Sequence, residues 1–362
     1  MVDLWWRVID AMVDLRVRFE HWMVDARHAS RGAAAVRIGT GLSVIGLLLA
    51  NFTTRDVWVG QASIWADPAR SVSTFPELTL LQGVSGDILT VGYVLTILAA
   101  AAFVAGWHTK AANVVTYIGF IAIVAQNPVV GVQADNLVRL TLMWLLLMRT
   151  ADHWSIDARR RELLEHGDAT PAAYEADVLP TWVANVMHNA GLVALLAQTV
   201  LAYTAAGLDK VSQDVWQHGT ALFYTLQLPE SRPFPGVSDL ISNSQVLLAV
   251  LTYTVLLVQL FFAPLLISRY SRGAIIVAAV VVSVLFAVLF AAPWSQLAVI
   301  SVTVLFVSDR GWERIEDVVL DRVDVIAERY GDRWWRLIDG ARDGVTDVYD
   351  AATRRGRDRE SR

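Results

Sequence analysis

The sequence predicts an all-α protein, a polytopic membrane helix bundle of about eight transmembrane helices flanked by amphipathic helices at both ends. Three observations predict it. Hydrophobic residues make up 55% of the chain and charged residues only 18%, where soluble domains carry about 25% charge. Several apolar runs approach the ~20 residues that cross a bilayer as a helix. The charges gather at the two ends and in a few connecting segments.

The first element is residues 2–27. Trp5, Val8, Met12, Leu15, Phe19 and Trp22 recur at steps of three and four, one apolar stripe on a helix. Residues 1–34 therefore form an N-terminal amphipathic segment at the membrane interface. Its charges exclude a cleaved signal peptide, whose apolar region is continuous. The membrane region runs over 35–308. Apolar runs place spans near 36–53, 86–106, 111–128, 135–150, 182–206, 245–267, 274–291 and 294–308. The third, fourth and eighth are short. Residues 309–362 form a C-terminal amphipathic helix and charged tail. There Ile315, Val319, Val323, Ile326, Tyr330, Trp334, Leu337, Ala341, Val345 and Val348 keep an eleven-residue period, which suits a nearly straight helix.

Lys and Arg orient the bundle. With an even number of spans the termini share one side, and that side holds 24 of the basic residues against 4 on the other. Omitting the tail leaves 12 against 4. The positive-inside rule puts both termini in the cytoplasm of a multi-pass cell-membrane protein. The segments near 54–85 and 207–244 then face the exterior. Both exceed the ~12–15 residues of an ordinary connector.

Composition also excludes chemistry. There is no cysteine, hence no disulfide, thiolate zinc site or dithiol relay. None of the seven histidines forms an H-x-x-x-H pair, and no metal site is expected. No P-loop, dinucleotide fingerprint or GxSxG appears. Membrane lipids are the expected surroundings, and no nucleic acid is expected as a partner.

Polar residues inside or beside apolar runs are the candidate site. The stretch "AYTAAGLDKVSQDVWQHGTALFYTLQ" carries Lys210, the only lysine besides Lys110. A helix continuing past the span aligns Lys210, Asp214 and His218 on one face. Trp216 and Tyr224 lie just beyond. A lysine beside an acid is ordinarily ion-paired, and lysines at span ends snorkel; one at the edge of an apolar pocket can lose its charge and become a base. Lys210 is the candidate base, with Asp214 and His218 beside it. Asp135 and Arg139, i and i+4, read equally as a helix-locking pair and as a substrate clamp. Asn185 and His188 open the fifth span, where polar groups usually bond across helices and a histidine can also relay protons. Trp216, Tyr224, Asp135, Arg139, Asn185 and His188 are the expected substrate- or cofactor-binding residues.

Three blocks resemble a known family. They are "RIGTGLSVIGLLL" at 37–49, "DNLVRLTLMWLLLMRTADHWSIDARR" at 135–160 and "NVMHNAGLVALLAQTVLAYTAAGLDKVSQDVWQHGTALFYTL" at 185–226. Together they resemble the horizontally transferred transmembrane (HTTM) domain of the vitamin K-dependent γ-carboxylase-like superfamily, and look closest to its sporulation-delaying protein B branch. In the carboxylases the lysine after A-G is the base that deprotonates reduced vitamin K, and Lys210 stands at that position. The resemblance implies a reduced quinone as cofactor. From the branch it implies maturation of a secreted peptide, together with a small partner protein. The carboxylases' large luminal domain has no counterpart after residue 308, so glutamate carboxylation is not the expected reaction. A non-enzymatic peptide-binding membrane protein is the alternative. A DoxX-like quinone-linked redox subunit is a further one, less suited to a chain without cysteines.

Overall fold

Runs of apolar residues interrupted by Gly, Pro, Asn and Ser become helices joined by polar turns. The computed structural model describes residues 2–71, 80–81, 83–165, 179–319 and 321–322. Its helices are α1 (Val2–Asp25), α2 (Ser30–Ala50), α3 (Arg55–Trp58), α4 (Asp67–Ser71), α5 (Gly86–Ala105), α6 (Thr109–Val124), α7 (Gln133–Leu147), α8 (Ile156–Glu165), α9 (Thr181–Val211), α10 (Asp214–Gln217), α11 (Ala221–Gln227), α12 (Pro235–Ser242), α13 (Gln245–Ile267), α14 (Arg272–Leu289) and α15 (Pro293–Thr303). Among the described residues there are no strands.

Five helices, α2, α5, α9, α13 and α14, are long and apolar enough to cross a membrane. The third, fourth and eighth expected spans are the shorter helices α6, α7 and α15, of 16, 15 and 11 residues. Helix ends explain the shortening. Asn127-Pro128 follows α6, Val132 takes extended backbone before α7, and Pro293 opens α15.

The chain divides into two units, Met1–Ser308 and Asp309–Arg362. In the first, α2 packs on α5 and α15, and the path then runs α5, α6, α7, α9, α13, α14, α15. Close approach is bought with small residues: a Cβ on Gly207 of α9 would lie 2.8 Å from the Leu260 backbone nitrogen of α13. The largest core cluster gathers Tyr93, Phe103, Phe120, Leu142 and Leu195. Outward faces stay apolar: Leu201 on α9, Val246 on α13 and Val277 on α14 are 67%, 75% and 61% exposed. An apolar belt of that extent is solvated by lipid, not water.

The expected N-terminal helix is present as α1. Trp5, Met12, Leu15 and Phe19 of its stripe are exposed, and Trp22 packs against the core. In the second unit residues 309–319 are helical, and Ile315 and Val319 are exposed. The rest of the expected C-terminal amphipathic helix lies outside the described residues.

Candidate functional site

The expected lysine cluster forms only in part. α9 stops at Val211, Ser212 and Gln213 turn, and α10 restarts at Asp214. The helical register needed to stack Lys210, Asp214 and His218 is therefore broken. Lys210 instead folds back: its Nζ donates to the Ala206 carbonyl at 3.4 Å and lies 5.1 Å from the centre of the Trp216 ring. Among the described residues no carboxylate lies within 4.0 Å of it, although Asp209 and Asp214 flank it in sequence. His218 is exposed, with its Nδ1 2.8 Å from the Asp214 carbonyl. Tyr224 is exposed as well. The turn works because Gly219 adopts φ +69° against the Tyr253 ring, and because the Tyr253 hydroxyl donates to the Gln217 carbonyl at 2.7 Å.

The expected Asp135–Arg139 pair does not form. Asp135 sits in the first turn of α7, and its Oδ2 accepts from the Val132 amide at 2.8 Å. A first-turn carboxylate satisfies an otherwise orphaned amide, and this local partner outcompetes a side chain one turn on. Arg139 Nη2 donates to Asn136 Oδ1 at 2.9 Å. Asp135 instead lines a cavity of about 560 Å³ with Asn51, Trp58, Asn127, Val130 and Trp294. Asn127, Trp58 and Trp294 were not expected from the sequence. They come from the end of α3, the turn after α6 and the start of α15, and the Asn-Pro at 127–128 and Pro-Trp at 293–294 signal helix boundaries without signalling that they meet.

His188 and Asn185 lie at the opposite end of α9 from Lys210, and with Asn189 they hold the exit of α1. His188 Nδ1 accepts from the Arg149 amide at 3.1 Å, and Nε2 lies 2.8 Å from the His28 carbonyl. The two contacts together assign a neutral ring with its proton on Nε2. Asn189 Nδ2 donates to the carbonyls of Trp22, Met23 and Ala26, and Asn185 Nδ2 to that of Val24. These groups are therefore used up in joining helices.

The same end holds four further polar anchors. Arg37, fully buried in α2, donates to the carbonyls of Thr150 (2.6 Å), His153 (3.5 Å) and Trp154 (2.5 Å). Lys110 Nζ caps the C-terminus of α7 through the carbonyls of Leu146 and Met148, at 2.6 and 2.7 Å. Asp157 accepts from the amides of His108 and Thr109 at the start of α6. Asp152 takes Arg161, Arg27 and Arg149 at 3.3, 3.5 and 3.8 Å. A cavity of about 460 Å³ opens beside Arg27, Asp152, His153 and Asn185.

A third cavity, about 370 Å³, lies between the 59–70 segment, Leu89 and Gln126. Lys210 lines none of these three cavities. Among the described residues no group of three His, Asp or Glu side chains is placed to hold a metal ion.

A bundle with five helices long and apolar enough to cross a membrane defines a multi-pass membrane protein. The chain belongs to the HTTM domain family, whose profile matches residues 30–312, from the first residue of α2 to beyond α15. That links it to the membrane domain of the vitamin K-dependent carboxylases. Neither a curated protein nor a solved structure matches the chain.

Proposed function

We propose that this HTTM-domain protein crosses the cell membrane eight times with both termini in the cytoplasm, and matures a secreted peptide at the exterior face with Lys210 as the base. The observation that carries the reading is that no described carboxylate lies within 4.0 Å of Lys210, with Asp209 acting on it only from farther off. A lysine between two aspartates in sequence is expected to pair with one of them; here its described contacts are a carbonyl and an indole face. The Trp216 ring stabilises the ammonium, but more weakly than a carboxylate at contact distance. Loss of that proton to bulk solvent leaves an amine able to accept one from substrate onto Nζ. Membership of the sporulation-delaying protein B branch, and a small partner protein, belong to the same proposal.

Lys210 lines none of the three cavities above. The base chemistry is therefore assigned to the lysine without a step through a reduced quinone.

Lys210→Arg tests the base. Arginine keeps charge and reach but cannot give up its proton at a useful pH. Peptide maturation in cells is expected to vanish while membrane expression is kept; full maturation would leave only the second reading, a protein that binds the peptide without changing it. The cavity beside Asp135 and Asn127, which Lys210 does not line, is the observation that favours this second reading. Topology has its own check: single cysteines at Ser231 and Ser361 are expected to label from outside and inside respectively. Labelling of both from one side would overturn the eight-span arrangement.

A further inference from the structure

The cavity between the ends of α2, α6 and α7 and the turn before α15 holds an acid and, among the described residues, no base. At about 560 Å³ it falls in the range of small-molecule sites. Its walls are mostly apolar, with Leu47, Val124 and the rings of Trp58 and Trp294 among them. Packing holds them in place. Trp294 lies against Gly46, where a Cβ would collide with its ring, and Ser43 Oγ donates to the Trp294 carbonyl at 2.7 Å. The donors of Trp58 and Asn51 are engaged within the wall: Trp58 Nε1 reaches the Asn51 carbonyl at 3.4 Å, and Asn51 Nδ2 donates to the Leu47 carbonyl at 2.9 Å. Asn51 Oδ1 is left to accept.

Asp135 is the one charged side chain among the described lining residues. It is half-buried, so a ligand in the cavity can reach it. Its Oδ2 holds the Val132 amide at 2.8 Å, and Oδ1 is open to a partner. The neighbouring bases are turned elsewhere: Arg139 donates to Asn136, and Arg55 to Phe52 and Thr90. A carboxylate at the edge of an apolar bundle is stabilised by a cation, and indole faces add to that attraction. A compact ammonium suits the site better than a guanidinium, because a bidentate fork wants both oxygens and one already holds an amide. A zwitterionic lipid headgroup is poorly served, since its phosphate would stand beside Asp135 with no base in the lining to receive it.

We propose that this cavity takes a lysine side chain of the secreted peptide, with its ammonium on Asp135 Oδ1 and its stem along the Trp58 and Trp294 rings. Lysine matches both halves of the site: an apolar stem for the walls and a point charge for the acid. The inference rests on the peptide of the proposed function and not on Lys210, which does not line this cavity.

The test is photocrosslinking of the purified full-length protein in detergent with an acetylated, amidated tripeptide of photoleucine, lysine and alanine. The same peptide with norleucine or arginine in place of lysine serves for comparison. The lysine peptide is expected to label residues within 47–58, 124–135 or 291–295 about tenfold more than the norleucine peptide, and several-fold more than the arginine one. Asp135→Asn keeps an oxygen for the Val132 amide but removes the charge, and is expected to cut the labelling about tenfold. Ala292→Leu narrows the cavity without touching Asp135 and is expected to do the same, so the site remains testable where one variant fails to fold. Excess phosphatidylethanolamine is expected to leave the labelling unchanged. Equal labelling by the lysine peptide and either of the others, undiminished labelling in the folded variants, or suppression by phosphatidylethanolamine would overturn the proposal, the last in favour of a lipid headgroup. Crosslinking reads binding alone: its failure with peptide maturation intact removes this site and leaves the proposed function, whereas loss of the Lys210 base leaves this site standing.

Discussion

The two ends of the bundle treat polar groups in opposite ways. At the end where α1 leaves, Arg37, Lys110, Asn185, His188 and Asn189 reach across tens of residues to backbone carbonyls. Each cancels a group that a helix end or a turn would otherwise leave unpaired in an apolar surround. At the other end Lys210 holds one long contact, Asn127 keeps a free amide nitrogen, and Asp135 spends one oxygen on a helix start and turns towards a cavity. Polar residues of the same kinds thus divide into groups that tie helices together, although Arg37 Nε is itself without a partner, and groups that make few contacts. Residue type does not separate the two classes; the partner does.

The comparison breaks most readily at Arg37. Replacement by Met strips the donors from three carbonyls and should cost on the order of 3 kcal/mol. Thermal melting in detergent is expected to show a large drop, and Arg37→Lys to recover part of it. A Met variant as stable as the parent would mean that water already serves those carbonyls and that this end is not held by side chains.

Asn189 gives a smaller, more local effect. Asn189→Ala removes the bonds to Trp22, Met23 and Ala26 and should cost about 1–3 kcal/mol. The loss should fall on the α1 junction. Trypsin cleavage at Arg27 is expected to speed up several-fold while the membrane core melts nearly as before. Unchanged cleavage would show that the stacking of Trp22 on His28 at 4.5 Å suffices to hold the junction.

Arg139 sharpens the contrast from the other side. Its described partner is Asn136, three residues earlier on the same helix. Arg139→Gln should change stability by no more than about 0.5 kcal/mol, and Asp135→Asn by about 0.5–1 kcal/mol through the weakened helix start. A loss of several kcal/mol on Arg139→Gln would restore the clamp that the i, i+4 spacing suggested.

The long spans were legible because lipid demands runs of apolar residues, and hydropathy reads runs directly. α5, α13 and α14 fall close to where the sequence put them. The polar contacts were less legible. Asp135 and Arg139 have pairing geometry on an ideal helix, but Asp135 lies in the first turn, where the backbone competes for it. Lys210, Asp214 and His218 required a helix past Val211, and two residues of turn undo the register; the neighbourhood of Lys210 and Trp216 survives because they are near in sequence. Arg37 meets carbonyls more than a hundred positions away, and Trp58, Asn127 and Trp294 converge from three separate stretches of chain. Packing decides such meetings, and no local pattern encodes them.

One dimension of α9 has its own consequence. Thirty-one residues in one helix make a rod of about 46 Å, against a hydrocarbon layer of ~30 Å. Even tilted by ~40°, the upper end of the usual range, the rod would still rise about 35 Å. Its two tips therefore stand outside the oily layer together, Trp182 at one and Lys210 at the other. The helix acts as a gauge that fixes both tips at headgroup depth. The same unbroken helix joins the Asn185 and Asn189 contacts with the α1 exit at one tip to the amine at the other.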